Sequence, residues 1–142
     1  MRVSAKAEYA CVAMFELAVN HSTGEPVRVR TIAQAHGIPL RFLVQILLQL
    51  KGAGLVVSVR GASGGYQLTR SPDKISLADV ISVIDRATAR SDADSLAPSA
   101  AVAAIRNVWR GIQAEEQRML EQVSLAELVR QTQQTSAPSY QI

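Results

Sequence analysis

Residues 29–51, VRTIAQAHGIPLRFLVQILLQLK, have the pattern of two short helices joined by a tight turn. Ala33 is a small residue where the two helices would cross, and Gly37 can adopt the positive φ that a sharp corner requires. The residues expected to seat the second helix on a core recur at helical spacing: Leu43, Ile46, Leu47 and Leu50. Together these features predict a helix-turn-helix, whose second helix enters the major groove of DNA.

The second helix is predicted to begin near Pro39 or Leu40 and to end at Gly52 or Gly54, and it has an outward face of mixed chemistry. That face contains Arg41, Val44, Gln45, Leu48 and Gln49. Arginine can bond guanine or a phosphate, and glutamine can bond adenine through two hydrogen bonds. The outward Val44 and Leu48 either contact thymine methyl groups or are buried against another helix.

A β-hairpin is predicted directly after this unit. Two β-type runs, 56–59 and 66–69, flank the segment RGASGG, which is rich in glycine and begins with Arg60. A hairpin in this place is a wing, and its backbone N–H groups and Arg60 are suited to bind phosphate or to enter the minor groove. The glycine spacing fits neither a P-loop nor a dinucleotide-binding fingerprint, and no βαβ unit surrounds it.

Charge is distributed unevenly along the 142 residues. Residues 1–70 contain eight Lys or Arg and three acids, whereas residues 71–142 contain seven bases and nine acids. The basic half contains the helix-turn-helix, which suits a head that binds a polyanion. The alternative interpretation is that the sequence pI of about 9.4 reflects arginines scattered over the surface.

The first helix is predicted over residues 4–20, with Ser4 as its N-cap and an apolar stripe of Cys11, Met14, Phe15 and Ala18. Cys11 is expected to be a small buried hydrophobic residue, although a redox-sensing thiol is the alternative. A single cysteine excludes an internal disulfide and is consistent with reducing cytosol. No secretory signal and no run of about 18 apolar residues is present, so a cytoplasmic location is expected. The two histidines predict no metal site.

The C-terminal half is predicted to hold a fourth helix, opened by a capping box at Ser76–Asp79, and a long fifth helix from Leu96 or Pro98 to Gln122. The long helix has a heptad seam that Glu116 interrupts, and its apolar members are Val102, Ile105, Trp109, Ile112, Met119 and Val123. This stripe either pairs with a second chain or folds back on its own domain. A last helix is expected from Ser124 to Val129. The predicted divisions are a winged helix-turn-helix domain at 1–87, a linker at 88–97, a dimerisation helix with a short C-terminal helix at 98–130, and a flexible tail at 131–142.

The chain resembles the bacterial winged helix-turn-helix transcription regulators that include IscR, NsrR and CymR. The resemblance covers residues 1 to about 86, and the wing string is its most specific part. It is carried by Tyr9-Ala10, by Ile32-Ala33 through Gly37-Ile38, by Phe42-Leu43 with Gln45, by Gly54-Leu55-Val56, Ser58-Val59-Arg60-Gly61, Gly64-Gly65-Tyr66 and Leu68, and by Ile75-Ser76-Leu77 with Asp79-Val80-Ile81.

The resemblance implies a mainly α fold with a small hairpin wing, and a homodimer that joins through the long helix and binds an inverted-repeat operator in double-stranded DNA. It implies that Gln45 and its neighbours read bases while Arg60 serves the wing. The full predicted DNA-binding set is Arg28, Arg30, Leu40, Arg41, Phe42, Gln45, Arg60, Gly61, Ser63, Gly64 and Gly65. Cluster-binding members carry three cysteines between the fourth helix and the dimer helix, whereas residues 85–106 here contain none. The chain therefore resembles a cluster-free branch, and no cofactor is expected.

Two other classes of function are alternatives to DNA binding. A winged helix can serve as a protein-interaction adaptor that does not bind DNA, and the outward Val44 and Leu48 favour that alternative. An enzyme is disfavoured, because no Ser/His/Asp set, metal-ligand cluster or carboxylate pair stands out. Three routes for sensing a signal stay open: oxidation of Cys11, a partner protein, and a small molecule.

Overall fold

The computed structural model describes residues 2–85 and 96–136, and these residues form six α-helices and one two-stranded hairpin. The helices are α1 (Ala5–Val19), α2 (Val29–His36), α3 (Leu40–Gly52), α4 (Leu77–Asp85), α5 (Ala100–Glu121) and α6 (Leu125–Ser136); the strands are β1 (Val56–Val59) and β2 (Gly65–Leu68); and short 3-10 turns lie at His21–Thr23 and Pro72–Lys74. This confirms the predicted fold class, mainly α with a small hairpin wing. Among the described residues, no helix combines the length and the hydropathy needed to cross a bilayer.

Helix α1 is the central helix of the core and contacts α3, α4 and α6. Its N-cap is Ser4, as predicted, and the Ser4 Oγ accepts a hydrogen bond of 3.1 Å from the Ala7 N–H. The buried face consists of Ala7, Ala10, Ala13, Met14, Leu17 and Ala18. The predicted apolar stripe does not coincide with the buried face of α1. Cys11 and Phe15, which belong to the stripe, lie at the edge of the buried face and are only half-buried. Ala7, Ala10 and Ala13 lie outside the predicted stripe because their side chains are weakly hydrophobic, yet their small size lets neighbouring helices approach closely.

The two helices of the helix-turn-helix are as the sequence predicted. Helix α2 ends at Gly37, whose φ of 67° lies in the left-handed region, and the Ile38 N–H then donates to the Ala33 carbonyl at 3.1 Å. In α3 the predicted inward residues, Leu43, Ile46, Leu47 and Leu50, are all fully buried. Because one side of α3 is completely used by the core, its opposite side is held in a fixed orientation toward solvent.

The hairpin pairs β1 with β2 in antiparallel register, with Val56 opposite Leu68 and Val59 opposite Gly65. Strand β2 begins one residue earlier than predicted. Before α2, Val27 forms a single antiparallel bridge with Tyr66, and their N–H groups each donate to the other's carbonyl at 2.9 and 2.8 Å. The bridge is no longer than this because α2 already begins at residue 29.

Helices α4 and α6 begin side by side. At the start of α4, the Ser76 N–H donates to Asp79 Oδ2 at 2.9 Å and the Asp79 N–H donates to Ser76 Oγ at 3.2 Å, which is the predicted capping box. The Leu125 N–H at the start of α6 donates to the Ile75 carbonyl at 2.9 Å, and the Leu125 side chain is fully buried. Helix α6 is thus packed on the same core as α1.

The end of α6 corrects two expectations from the sequence. The helix was predicted to stop at Val129, and residues 131–142 were predicted to be a loose tail, but α6 continues to Ser136. Glutamine at three of the positions in 131–134 has a good helix propensity, so a polar sequence sustains the helix without burial. Residues 88–95 of the predicted linker and residues 137–142 of the predicted tail lie outside the described residues. The predicted division into domains stays a prediction.

Candidate nucleic-acid interface

The outward face of α3 is an exposed surface that the core does not use. Its members are all solvent-exposed, as predicted: Arg41, Val44, Gln45, Leu48 and Gln49. Val44 is 39% exposed and Leu48 is 54% exposed, so neither is buried against another helix within the protomer. The face therefore offers cationic, amide and aliphatic groups together, which are the groups that bond guanine, adenine and thymine methyls in a major groove.

The first turn of α3 carries two more residues of the predicted DNA-binding set. Leu40 and Phe42 are exposed, and the guanidinium carbon of Arg41 lies 5.9 Å from the centroid of the Phe42 ring. This is at the outer limit of a cation–π contact, and it favours an orientation of Arg41 beside the ring. The last turn of α3 contacts the wing instead, because Lys51 Nζ donates to Ser58 Oγ at 2.8 Å. Lys51 was not in the predicted set, although its place at the end of the recognition helix was visible in the sequence.

The tip of the wing divides the predicted residues into two groups. Arg60, Gly61 and Ser63 are exposed and available to a ligand. Gly64 is buried, and its N–H already donates to the Gly61 carbonyl at 3.0 Å. A Cβ atom on Gly64 would overlap the Val59 carbonyl oxygen, and no side chain fits there.

Gly65 also has a structural reason for its place. Its φ of 152° and its close packing on the backbone of Val27 exclude a Cβ atom. Gly64 and Gly65 both belong to the predicted DNA-binding set, and the structure shows that they also shape the wing. Their contact with DNA stays a prediction. The sequence shows a glycine-rich tip without showing which glycines lie against other backbone.

Arg28 and Arg30 lie at the start of α2, and both are exposed. Arg28 occupies the N-cap position, next to the base of the wing, since a Cβ atom on Gly65 would come within 2.9 Å of the Arg28 backbone nitrogen. The structure therefore brings one predicted arginine beside the wing, and the second follows it two residues later.

A cleft between α1 and α3 was not predicted. It has a volume of about 450 Å³ and is lined by Ala5, Lys6, Tyr9, Phe42 and Gln45. Two of these residues belong to the predicted DNA-binding set, and the other three come from the start of α1. A signal for them existed in the sequence, because Lys6 and Tyr9 are three residues apart and so share one face of a helix.

Cys11 lies on another side of α1, in an apolar groove of about 550 Å³ that also contains Val12, Phe15 and Leu120. Burial, reinforced by the negative charges of Asp85 and Glu8, raises the pKa of the Cys11 thiol to about 11. The thiol is consequently protonated at neutral pH. Within residues 2–85 and 96–136, no group of three His, Cys, Asp or Glu side chains is arranged to hold a metal ion.

Helix α5 has no buried residue along its 22 positions. Four members of the predicted seam, Ile105, Trp109, Ile112 and Met119, are between 49% and 59% exposed, and the end members Val102 and Val123 are half-buried. Val108 is 56% exposed as well and was not assigned to the seam. The apolar side of α5 is therefore not covered by the other described residues of the chain.

The chain matches a known protein family over nearly its whole length. The family model described as "Rrf2: Iron-dependent Transcriptional regulator" matches residues 3–131. An HTH-type transcriptional regulator of Mycobacterium tuberculosis is 44% identical over 131 residues, which are 90% of this chain and 81% of the relative. IscR of Aliivibrio salmonicida is 33% identical over 131 residues, covering 91% of this chain and 77% of the relative.

Solved structures agree with these sequence relatives. IscR of T. potens superposes with a TM-score of 0.77 at 33% identity, covering 93% of this chain and 88% of that one. CymR, the global cysteine regulator of B. subtilis, superposes with a TM-score of 0.76 at 31% identity, covering 90% of this chain and 95% of that one. The similarity includes the winged head and extends into the C-terminal helices.

Proposed function

This chain belongs to the Rrf2 family of transcriptional regulators, and from that premise we propose that it is a homodimer that binds an inverted-repeat DNA operator without an iron–sulfur cluster. Its relatives are named as transcriptional regulators, and it is not an enzyme. Bacterial transcriptional regulators bind DNA in the cytoplasm, so we propose a cytoplasmic location for this chain.

The outward face of α3 is the observation that carries the proposal. Four inward leucine and isoleucine side chains anchor the helix, so Arg41 and Gln45 are presented to solvent at a fixed angle. We assign base reading to Gln45 with Arg41, and phosphate binding to Arg28, Arg30 and Arg60. This division follows the general pattern in which contacts to phosphates position a protein and contacts to base edges specify the sequence.

The apolar side of α5 supports the homodimer. A helix of 22 residues that buries none of them in its own protomer gains its stability from another partner, because burial of apolar area is the main favourable term in association. Pairing with the same helix of a second chain covers both stripes and creates a two-fold axis. Two recognition helices related by that axis, about 34 Å apart, would fit successive major grooves of one face of the duplex.

The donor chemistry of the chain supports the absence of a cluster, although the family description names iron. Iron–sulfur clusters are held mainly by thiolates, and this chain has one cysteine. A single cysteine leaves most of the ligand positions of a cluster without a thiolate. We therefore propose that the residues of this chain do not fit a cluster and that its signal arises from another source.

Selection of bound DNA from a random pool tests the function. We expect a palindromic consensus sequence. The affinity for this sequence should fall as salt is added, with log K decreasing linearly with the logarithm of the salt concentration. If the chain is instead a protein-interaction adaptor, as the exposed Val44 and Leu48 would suit, the pool gives no consensus and the residual binding shows little dependence on salt. A consensus without internal symmetry would contradict the dimer while preserving the DNA-binding function.

A further inference from the structure

We propose that the cleft between α1 and α3 is a seat for the sugar–phosphate backbone of the operator strand beside the bases that Gln45 reads. In this seat Lys6 is a phosphate ligand and Tyr9 is a hydrogen-bond donor to the same strand. The inference deepens the proposed function and rests on it. It adds a second positioning site, at the opposite end of the recognition helix from the wing.

The cleft is built from two helices that each contribute one polar group and one aromatic ring. Lys6 and Tyr9 lie one helical turn apart on α1, and Phe42 and Gln45 lie one turn apart on α3. Tyr9 is half-buried and packs on the core, so its ring is held in place, whereas Lys6 is exposed and can move to meet a ligand. Because Gln45 lines the cleft and also belongs to the outward face of α3, anything seated in the cleft adjoins the bases that Gln45 contacts.

The chemistry of the lining suits a nucleic-acid backbone. Its surface is mostly apolar, from Ala5 and the two rings, and it carries a single cation at Lys6. A deoxyribose presents an apolar face, and the phosphate that follows it presents an anion, so one nucleotide unit matches both parts of the cleft. Among the described residues Lys6 forms no ion pair, and the nearby acid Glu8 lines the groove on another side of α1. The charge of the cleft is therefore positive and complementary to DNA.

The position of the cleft explains why it would matter. At the end of α3, the Lys51–Ser58 hydrogen bond ties the recognition helix to the wing. The cleft lies toward the other end of α3, where Phe42 and Gln45 line it. Phosphate contacts at both ends would hold the helix against rotation in the major groove, and such contacts fix register without reading sequence.

The test uses the full chain and the operator obtained by selection, with affinities measured by fluorescence anisotropy over a range of salt. We expect Lys6→Gln to lower the affinity about fivefold at ~0.15 M salt and to reduce the slope of log K against log salt by about 0.9, which is the effect of one lost phosphate contact. Tyr9→Phe retains the ring and should lower the affinity about threefold through the lost hydrogen bond. Lys74→Gln, an equal loss of charge at an exposed position on the 3-10 turn beside α6, is the control and should leave the slope unchanged.

A second arm replaces single operator phosphates with uncharged methylphosphonates. At one phosphate beside the base that Gln45 contacts, this substitution should lower the affinity of the wild-type chain about fivefold. It should not change the affinity of the Lys6→Gln variant. If Lys6→Gln behaves like Lys74→Gln while the wild-type chain binds its operator, the cleft does not contact DNA and the inference is overturned, but the proposed function stands. If the wild-type chain shows no sequence-specific and salt-dependent binding, the inference and the proposed function fail together.

Discussion

Gly65 packs so closely on Val27 that a Cβ atom at Gly65 would overlap the Val27 carbonyl oxygen. The contact lies next to the paired hydrogen bonds between Val27 and Tyr66, which attach the wing to the segment just before α2. Direct contacts between backbone atoms therefore set the angle of the wing, at a position that only glycine fits. The wing is attached to the helix-turn-helix through these backbone contacts.

Substitution Gly65→Ala should destabilise the fold and displace the wing. The added methyl group must push Val27 and its neighbours apart, and we expect the free energy of unfolding to fall by about 1–3 kcal/mol. The control is Gly52→Ala, at the end of α3, where an added Cβ meets nothing within 4 Å and φ is not positive. That change should be neutral or stabilising by up to about 1 kcal/mol. Urea denaturation measures both, and equal stability of the two variants would contradict the proposed packing.

Substitution Gln45→Ala should relax the sequence preference of the chain at one operator base pair. The amide is exposed on α3 and supports no part of the core, so its loss should cost roughly 1–3 kcal/mol of discrimination at that base pair and little stability. Selection from a random pool with the variant measures the effect as a position of the consensus that becomes degenerate. A variant with an unchanged consensus would show that Gln45 does not read a base.

Substitution Arg60→Ala should weaken binding to all DNA sequences by a similar factor. Arg60 is exposed at the wing tip, where we expect the sugar–phosphate backbone of DNA to pass. Its loss should reduce the slope of log K against log salt by about 0.9. Arg130→Ala removes the same charge from α6, where the guanidinium pairs with Glu127, and it serves as the control. If Arg60→Ala alters the preference at only one base, the side chain reads sequence and its assignment to phosphate is wrong.

The sequence predicted α3 and its two faces fully, because four large aliphatic residues at strict helical spacing leave only one way to seat the helix. It predicted α1 less well, since a buried face made largely of alanine has no strong hydrophobic period. It ended α6 too early, because residues 131–134 are polar and helix propensity alone sustains them. These errors concern segments that bury small side chains or none, namely the alanine positions of α1 and the polar end of α6.

The meeting of α1 and α3 at the cleft was beyond sequence reasoning for a different reason. Lys6 and Tyr9 share a helix face that the sequence shows, but nothing local indicates that this face and Gln45 line the same cleft. The same holds for Gly65 and Val27. Contacts between distant segments arise only once the core has set the helices in place, so the sequence indicated residue types for the site without indicating their neighbours.

Substitution Trp109→Glu should convert the proposed dimer into monomers without unfolding the head. Trp109 is 57% exposed in the protomer, so its own chain loses little packing, whereas a charge in the centre of a paired helix seam is strongly unfavourable. Ala114→Glu places the same residue on the opposite side of α5 and is the control, because five positions turn a helix by about 140° beyond a full turn. Sedimentation velocity measures the masses. A monomeric wild-type chain, or a Trp109→Glu variant that stays dimeric, would contradict the assigned seam.

Cys11 should make the stability of the fold fall at high pH. Burial, with Asp85 and Glu8 nearby, raises the pKa of the Cys11 thiol from 9.0 to about 11, so the folded state holds this proton more tightly than the unfolded chain does. The stability that the neutral thiol contributes is complete below pH 9 and is lost as the pH rises through about 11. Urea denaturation between pH 8 and pH 11 measures this loss of stability. The Cys11→Ala variant should lose less stability over the same range, and the difference between the two chains is the contribution of the thiol.

The same raised pKa of Cys11 predicts slow alkylation by iodoacetamide at pH 7.5 and operator binding that mild oxidant does not change. Alkylation as fast as that of a free thiol would contradict the burial of Cys11, and it would favour the redox role that the sequence left open.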